Sequence, residues 1–379
     1  MAVRALARVN LAAIERNVAR LRAALSAGAG LCAVVKADGY GHGAAPAALA
    51  ALAGGARSLA VATALEAAAL RAAGIDAPVL IMGALSDEEL RVALDAHAEV
   101  VAWSERFVAA VAMRARVGAA HPVPVHVKLD TGMGRLGTRV FQEAVEVAER
   151  VCDAAGSGLK LAGAMTHFAS ADEDPEFTAL QLSRFEPFVD ALRGRRPGIV
   201  AHAANSAATL RFPASHLDLV RCGIAVYGGD PMNQDPFAHG LEPALELSSY
   251  VAAVKRAAPG ESAGYGRRWV AEAETWLATV PLGYADGIRR GLTNNCEVII
   301  GGRRHPLVGT VSMDNITVEV GSSDAVRVGE RVVVIGSGGG GERVTAEELA
   351  RRIGTIGYEI LCGVSGRVPR VYHRDGVPA

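Results

Sequence analysis

Hydrophobic positions in the first two-thirds of the chain fall into short continuous runs rather than strict alternation. The runs are residues 31–37, Ser58–Thr63, Pro78–Gly83, Glu99–Trp103, Val123–Asp130, Leu159–His167, Ile199–Asn205 and Leu217–Tyr227. Short apolar runs bounded by polar and turn residues mark strands buried on both faces. Between them the spacing turns helical, in the Ala-, Leu-, Glu- and Arg-rich segments Thr63–Ala73, Asp87–His97, Glu105–Val117, Phe141–Ala155 and Glu176–Arg193. Gly74, Gly118 and Gly156 are placed to end three of these. A further helix is predicted near the amino terminus, where Ile14, Val18, Leu21 and Leu25 share one face behind Asn10 as its cap. Eight strands alternating with helices predict a (β/α)8 barrel, with a doubly wound open sheet as the rival.

The pattern changes after Leu241. Val- and Ile-rich runs at Thr275–Pro281, Glu297–Ile300, Pro306–Thr310, Ile316–Val320 and Arg331–Ile335 are separated by Gly, Pro and Asp turns. Gly301-Gly302 between two such runs is a hairpin signal. One helix interrupts the strands, capped at Thr345 with Glu348 three residues on, a capping-box spacing. Residues 336–341 read as a flexible loop and not a phosphate loop, because no Lys-Ser/Thr pair follows. The expected fold is therefore α/β plus β. An amino-terminal (β/α)8 TIM-type barrel spans residues 1–238 and a carboxy-terminal, mainly β domain spans 239–379.

Composition narrows the partners. Hydrophobic residues make up 50% of the 379, enough for two cores. A net charge of -1 and an aromatic content of 5% argue against wrapping or stacking nucleic acid. The five cysteines, at 32, 152, 222, 296 and 362, are far apart and form no CxxC, so no metal site is expected and they read as reduced thiols of a cytoplasmic protein. No membrane span is expected, since the apolar stretch between Gly43 and Gly55 is short and Ala-dominated. The Arg- and Ala-rich amino terminus has transit-peptide composition, but its helical spacing favours a structural segment.

Candidate chemistry gathers at the strand ends. Lys36 stands where the first run breaks into a loop holding Gly39, Gly41 and Gly43. A lysine there either snorkels to solvent or is buried with a lowered pKa, and a neutral amine condenses with an aldehyde to a Schiff base. Lys128 and Asp130 close the fifth run and His167 the sixth; Asn205 and Ser206 follow the seventh; Arg221 and Gly223 lie in the eighth. The carboxyl face of a barrel is where active sites form. A structural ion-pair network is the alternative reading.

These segments carry a family resemblance. The stretch Val35-Lys36-Ala37-Asp38-Gly39-Tyr40-Gly41-His42-Gly43 resembles the pyridoxal phosphate attachment signature of the alanine racemase family. Also similar to that family are residues 127–137, Met165-Thr166-His167-Phe168, Ala204-Asn205-Ser206, Arg221-Cys222-Gly223-Ile224, Gly264-Tyr265-Gly266, residues 283–287 and Ser312-Met313-Asp314, all in family order. The resemblance implies interconversion of L-alanine and D-alanine with pyridoxal 5'-phosphate, by a homodimer with shared active sites, supplying D-alanine for peptidoglycan. It implies that the barrel binds the cofactor and that the β domain brings a second base and dimer contacts. Lys36 then carries the cofactor and is one acid–base group. Tyr265 of the partner subunit is the other, on the opposite face of the substrate carbon. By the same resemblance Arg221 faces the pyridine nitrogen, while Tyr40, Ser206, Gly223, Ile224 and Tyr358 hold the phosphate. His167 and Asn205 lie near the ring. Arg135 and the Met313 backbone take the substrate carboxylate, Tyr284 and Asp172 line the mouth, and Asp314 supports them. Lys128 matches a lysine that is carbamylated in relatives, where it steadies the arginine corresponding to Arg135. Ser312 departs from the pattern, since many relatives have Cys there.

Elementary stereochemistry points the same way. Inverting a carbon needs a proton removed from one face and another delivered to the other, so two groups on two elements suffice without the substrate turning over. Two rivals remain at this point. A barrel-fold pyridoxal phosphate decarboxylase of basic amino acids would share the strand-end lysine, but the distal cysteine and late glycine-rich phosphate loop it needs are not found. A non-enzymatic carrier of the cofactor would need no Tyr265.

Overall fold

The computed structural model describes residues 4–118 and 121–379. Met1–Val3, the start of the Arg- and Ala-rich segment, lie outside them. The chain divides into two compact units. One holds residues 15–39 and 44–226; the other holds the chain up to Ile14, residues 40–43 and residues 227–379.

The chain opens with strand β1 (Leu6–Asn10), followed by the eight strands of the first unit. These are β2 (Gly30–Val34), β3 (Ser58–Val61), β4 (Val79–Ile81), β5 (Glu99–Ala102), β6 (Val123–Lys128), β7 (Leu159–Met165), β8 (Val200–His202) and β9 (Leu219–Cys222). All eight expected strands form, each shorter than its apolar run because the polar ends leave the ladder. Their order is β8-β7-β6-β5-β4-β3-β2-β9 with parallel pairing throughout. The first of the set pairs with the last, which an open doubly wound sheet does not do. Between β8 and β9 the ring is drawn together by Asp218 N donating to Ala201 O at 3.1 Å and Arg221 N to Ala204 O at 2.9 Å. The first unit is thus a nearly closed eight-stranded barrel.

Helices cover it by burying apolar stripes. In Phe141–Asp153 the buried residues are Ala144, Val145, Val147, Ala148 and Val151, the spacing of one helical face. Thr63 and Ser86 cap Ala64–Ala72 and Asp87–Asp95 through reciprocal capping boxes with Glu66 and Glu89. The Ala-rich stretch weighed above only as a membrane span is a barrel helix, Ala44–Ala53, with Ala47, Ala48, Ala50 and Ala51 buried. Gly74 takes a left-handed φ of 75° after its helix, whereas a 3-10 turn, Ala154–Ser157, carries the chain past Gly156. The expected first helix forms at Leu11–Ala23, directly after Asn10, but the Asn10 side-chain oxygen accepts from Asp375 N at 3.1 Å instead of capping it. Asn10 ends β1, which is parallel to the strand Arg370–Arg374, and its amide donates to Asp375 Oδ1 at 3.0 Å.

In the second unit the main sheet runs Ala253–Ala257, Thr275–Val280, Ile316–Glu319, Arg303–Val308, Glu297–Ile300, Arg331–Ser337, Leu245–Tyr250, β1, Arg370–Arg374 and Val377–Pro378. Gly301 and Gly302 join two of these strands with φ of 58° and 76°, the double left-handed turn that matches strand twist. Thr345 accepts from Glu348 N at 3.1 Å, but the Glu348 carboxylate goes to Arg304 and Arg352 and completes no capping box. Gly336 and Ser337 pair with Arg343–Val344 in a hairpin, so the expected loop is narrower than 336–341. Among the described residues no helix is long and apolar enough to cross a membrane, and no His/Cys/Asp/Glu group could hold a metal ion.

Candidate active site

Beyond β2 the backbone does something rare. Ala37, Asp38, Gly39 and Tyr40 all take positive φ, between 51° and 61°, forming one turn of left-handed helix straight after Lys36. Gly39 N donates to Val35 O at 3.0 Å, and the turn is pinned by Ala37 N to Glu66 Oε1 at 2.7 Å and Ala44 N to Asp38 Oδ1 at 2.8 Å. Left-handed L-residues cost roughly 1–2 kcal/mol each. Such strain persists where the surroundings over-determine it, commonly at functional sites. Lys36 itself is half-buried at the base of this turn.

Arg221 is the centre of the buried polar structure. Its NH1 lies 2.7 Å from His202 Nδ1, and its NH2 donates to Thr166 O at 2.8 Å and Ala203 O at 3.0 Å and lies 3.1 Å from His167 Nδ1. NH2 has two hydrogens for these three neighbours, so His167 Nδ1 has at most a shared contact with it. Burial, then the charges of Arg221, Lys128, Arg135 and Lys36, push His167 well below the ordinary imidazole range, so it is neutral. Burial brings Arg221 down to about 10, which leaves it charged at neutral pH. Arg221 Nε is buried without a partner. Asp218, the acid that could have claimed Arg221, is held instead by Arg193 at 2.8 Å and Ala201 N at 2.7 Å.

Ser206 Oγ accepts from Gly223 N at 2.9 Å, bringing together two of the expected phosphate-binding residues beside Ile224. Asn205 caps the short helix Ser206–Arg211 by accepting from Ala208 N. An arginine with one unused buried donor, near a serine and main-chain amides, fits a phosphorylated pyridine with an unprotonated ring nitrogen.

The loop after β6 is shaped by Asp130, which accepts from Gly132 N and Gly134 N at 3.1 Å and pairs with Arg139 at 3.1 Å. It presents Arg135 to solvent. Lys128 is buried, and burial with the charges of Arg221 and Arg135 lowers its pKa to about 8. Asp172 is half-buried, and its carbonyl accepts from Arg211.

In the second unit Tyr40 stacks on Tyr227, with centroids 5.1 Å apart, and lies 6.0 Å from Tyr358. Tyr265 is 73% exposed, Met313 52% and Tyr284 43%. The last two are tied together, since Tyr284 N donates to Ser312 O and Ala285 N to Met313 O, each at 3.0 Å. Arg367 holds Asp314 at 2.8 Å.

Comparison with known proteins is decisive at this point. The family models "Alanine racemase, N-terminal domain" and "Alanine racemase, C-terminal domain" match residues 9–231 and 244–372. The chain belongs to the alanine racemase family. Alanine racemases of Thermobifida fusca and Desulfovibrio desulfuricans are 43% and 40% identical to it, over 97% of each chain. The crystal structure of alanine racemase from the D-cycloserine producing Streptomyces lavendulae superposes with a TM-score of 0.92 at 37% identity, covering 98% of each chain.

Three features of this family member escaped sequence reasoning. Glu66 ties a helix cap to the Lys36 turn. Buried Gln181 donates to His167 O at 3.1 Å and accepts from Ala169 N. Glu99, His126 and His202 carry polar contacts inside the barrel; their only signal is a titratable side chain in an otherwise apolar strand.

Proposed function

We propose that the chain interconverts L-alanine and D-alanine with pyridoxal 5'-phosphate as cofactor, by two acid–base groups. One observation carries this reading. A donor-only arginine, charged at neutral pH, keeps one buried N–H unused, and such a partner suits a ring nitrogen that bears no proton. Opposite it, a ring nitrogen stays unprotonated, so charge developing at the substrate α-carbon is drawn less far away and a proton returns to that same carbon.

When bound, the cofactor supplies an aldehyde that joins the substrate nitrogen and a ring that acidifies the α-hydrogen. Lys36 Nζ would anchor it, with Tyr40, Ser206, Gly223, Ile224 and Tyr358 at the phosphate and His167 and Asn205 beside the ring. Lys36 then moves the α-proton on one face, and Tyr265 of the partner subunit moves it on the other. Ionising a free tyrosine side chain in water at pH 7 costs about 4 kcal/mol. His167, neutral through burial and the surrounding positive charge, keeps one ring N–H, a donor of the kind that stabilises a phenolate. Arg135 and the Met313 backbone take the substrate carboxylate; Tyr284, Asp172 and Asp314 shape the approach. With a pKa of about 8, Lys128 is partly an amine near neutrality, the form that adds carbon dioxide and releases a proton to become a carbamate. In this reading residues 1–238 bind the cofactor and 239–379 supply Tyr265 and the contacts of a cytoplasmic homodimer. Its D-alanine goes to peptidoglycan.

Incubation with L-alanine, with and without added pyridoxal phosphate, tests the activity by chiral chromatography. D-alanine should accumulate to near equality only with cofactor. Borohydride reduction should fix the cofactor on the peptide containing Lys36; label on Lys128 or Lys160, or no D-alanine from loaded protein, overturns the reading.

A further inference from the structure

Four side chains inside the barrel lie end to end. Glu99 opens β5, His126 stands in β6, His202 ends β8 and Arg221 lies in β9. Glu99 Oε2 is 2.9 Å from His126 Nε2, His126 Nδ1 is 2.8 Å from His202 Nε2, and His202 Nδ1 is 2.7 Å from Arg221 NH1. His126, His202 and Arg221 are all at most 3% exposed.

Donor chemistry leaves one way to fill these contacts. Arginine only donates, so His202 Nδ1 accepts and its proton sits on Nε2. That proton goes to His126 Nδ1, so His126 also carries its proton on Nε2 and donates it to Glu99. Burial raises the Glu99 pKa, but the opposing effects, led by the His126 hydrogen bond, bring the group below its usual value. Every hydrogen bond then points the same way, from cation to anion, and aligned bonds in a low-dielectric interior strengthen one another.

The barrel departs from regularity to seat this chain. The β6–β7 register shifts at His126: Val125 pairs with Leu161 and His126 with Gly163, so the extra residue, Ala162, lies on β7 and sets Gly163 opposite the imidazole. Opposite His126 stands Gly163, where a Cβ would lie 2.2 Å from His126 Nδ1 and 2.6 Å from Val200 O. Any other residue at 163 would push the imidazole off His202.

We propose that Glu99, His126 and His202 are positioning residues for Arg221: a one-directional relay that fixes its guanidinium through NH1 and balances its charge from a distance. The proposal rests on the reading of Arg221 as partner of the cofactor ring nitrogen. A carboxylate placed directly on Arg221 would compete for Nε. Set two imidazoles away, it counters the buried charge and leaves Nε to the ring.

The test is nitrogen NMR on the loaded enzyme, with 15N-histidine and 15N-pyridoxal phosphate. Wild type should show His126 and His202 neutral, each with its proton on Nε2; this needs no variant. Glu99→Leu, which cuts the relay, should shift both imidazole patterns and the ring-nitrogen resonance. It should also lower kcat about 10- to 100-fold, with KM for alanine changed less than about twofold. Glu99→Gln keeps an acceptor without charge; it should preserve the tautomers and fall between. A wild-type His202 protonated on Nδ1 would overturn the relay. So would a folded Glu99→Leu protein whose ring-nitrogen resonance and kcat stay at wild-type values while Arg221→Gln moves that resonance. If Arg221→Gln leaves the resonance unmoved as well, the underlying assignment of Arg221 is what fails.

Discussion

Lys128 shows how one buried side chain sets a measurable pH dependence. Its folded pKa of about 8 lies below the usual lysine value of 10.5, because burial and the charges of Arg221 and Arg135 disfavour the ammonium. The unfolded chain therefore binds this proton more tightly than the folded one. Below pH 8 the group costs stability, on the order of 3 kcal/mol, and the cost fades as pH rises from 8 to 10.5. Lys128→Met should accordingly be more stable than wild type at pH 7 in buffer freed of carbon dioxide, with the gap closing toward pH 10. Urea denaturation across that range measures it, and a gap independent of pH would refute the lowered pKa. The second prediction at this scale is Lys36→Ala, which on the proposed function removes the cofactor's anchor and one acid–base group together. Racemisation should fall to background while the far-ultraviolet circular dichroism is unchanged. Substantial remaining turnover would mean that another group serves both roles.

The element that most needs explanation is the left-handed turn from Ala37 to Tyr40. Three of its four residues are not glycine, so the strand end stores strain directly beside Lys36. Ala37→Gly relieves it at one position, by roughly 1–2 kcal/mol, against a glycine entropy cost of roughly 0.5–1 kcal/mol. The variant should therefore gain about 0.5–1 kcal/mol in denaturant unfolding. Destabilisation by a similar amount would indicate that the methyl group packs more strongly than the strain opposes. The turn was not legible beforehand. Alternating glycines at 39, 41 and 43 announce a loop, but the conformation of Ala37 and Asp38 is set by Glu66 and Ala44, which local spacing does not connect to them. Asn10 illustrates the same gap. Its residue type and position suit a cap, yet the neighbouring strand end offers Asp375 and takes the side chain.

Over the whole molecule, the exposure of Tyr265, Met313 and Tyr284 on a single chain is what a site completed by a second copy requires. Lys36→Ala and Tyr265→Phe chains, each inactive alone, should then complement when subunits are mixed in equal amounts and allowed to exchange. Half the dimers are mixed and each has one intact site of two, so activity should return to about a quarter of wild type. Native mass spectrometry confirms the exchange. Mixed dimers without recovered turnover would place both groups in one chain.

Periodicity in the sequence was enough to count eight barrel strands and to mark the change of architecture after Leu241. A strand buried on both faces must be apolar along its length, and that need is local. The polar residues in and beside those runs, Lys36, Lys128, His167, Ser206 and Arg221, were legible for the same reason: a charged or polar group in or next to a buried strand is an exception that sequence displays. What only the tertiary structure decided is which exceptions meet. The pairing of β1 with Leu245–Tyr250 and Arg370–Arg374 joins segments hundreds of residues apart, and each mixes polar with apolar positions because its sheet is only partly covered. The line from Glu99 through His126 and His202 to Arg221 exists because ring closure sets β5, β6, β8 and β9 around one interior, and because Gly163 leaves room for the His126 imidazole. Spacing along a strand determines which face is buried. The packing of distant strands determines what that face touches.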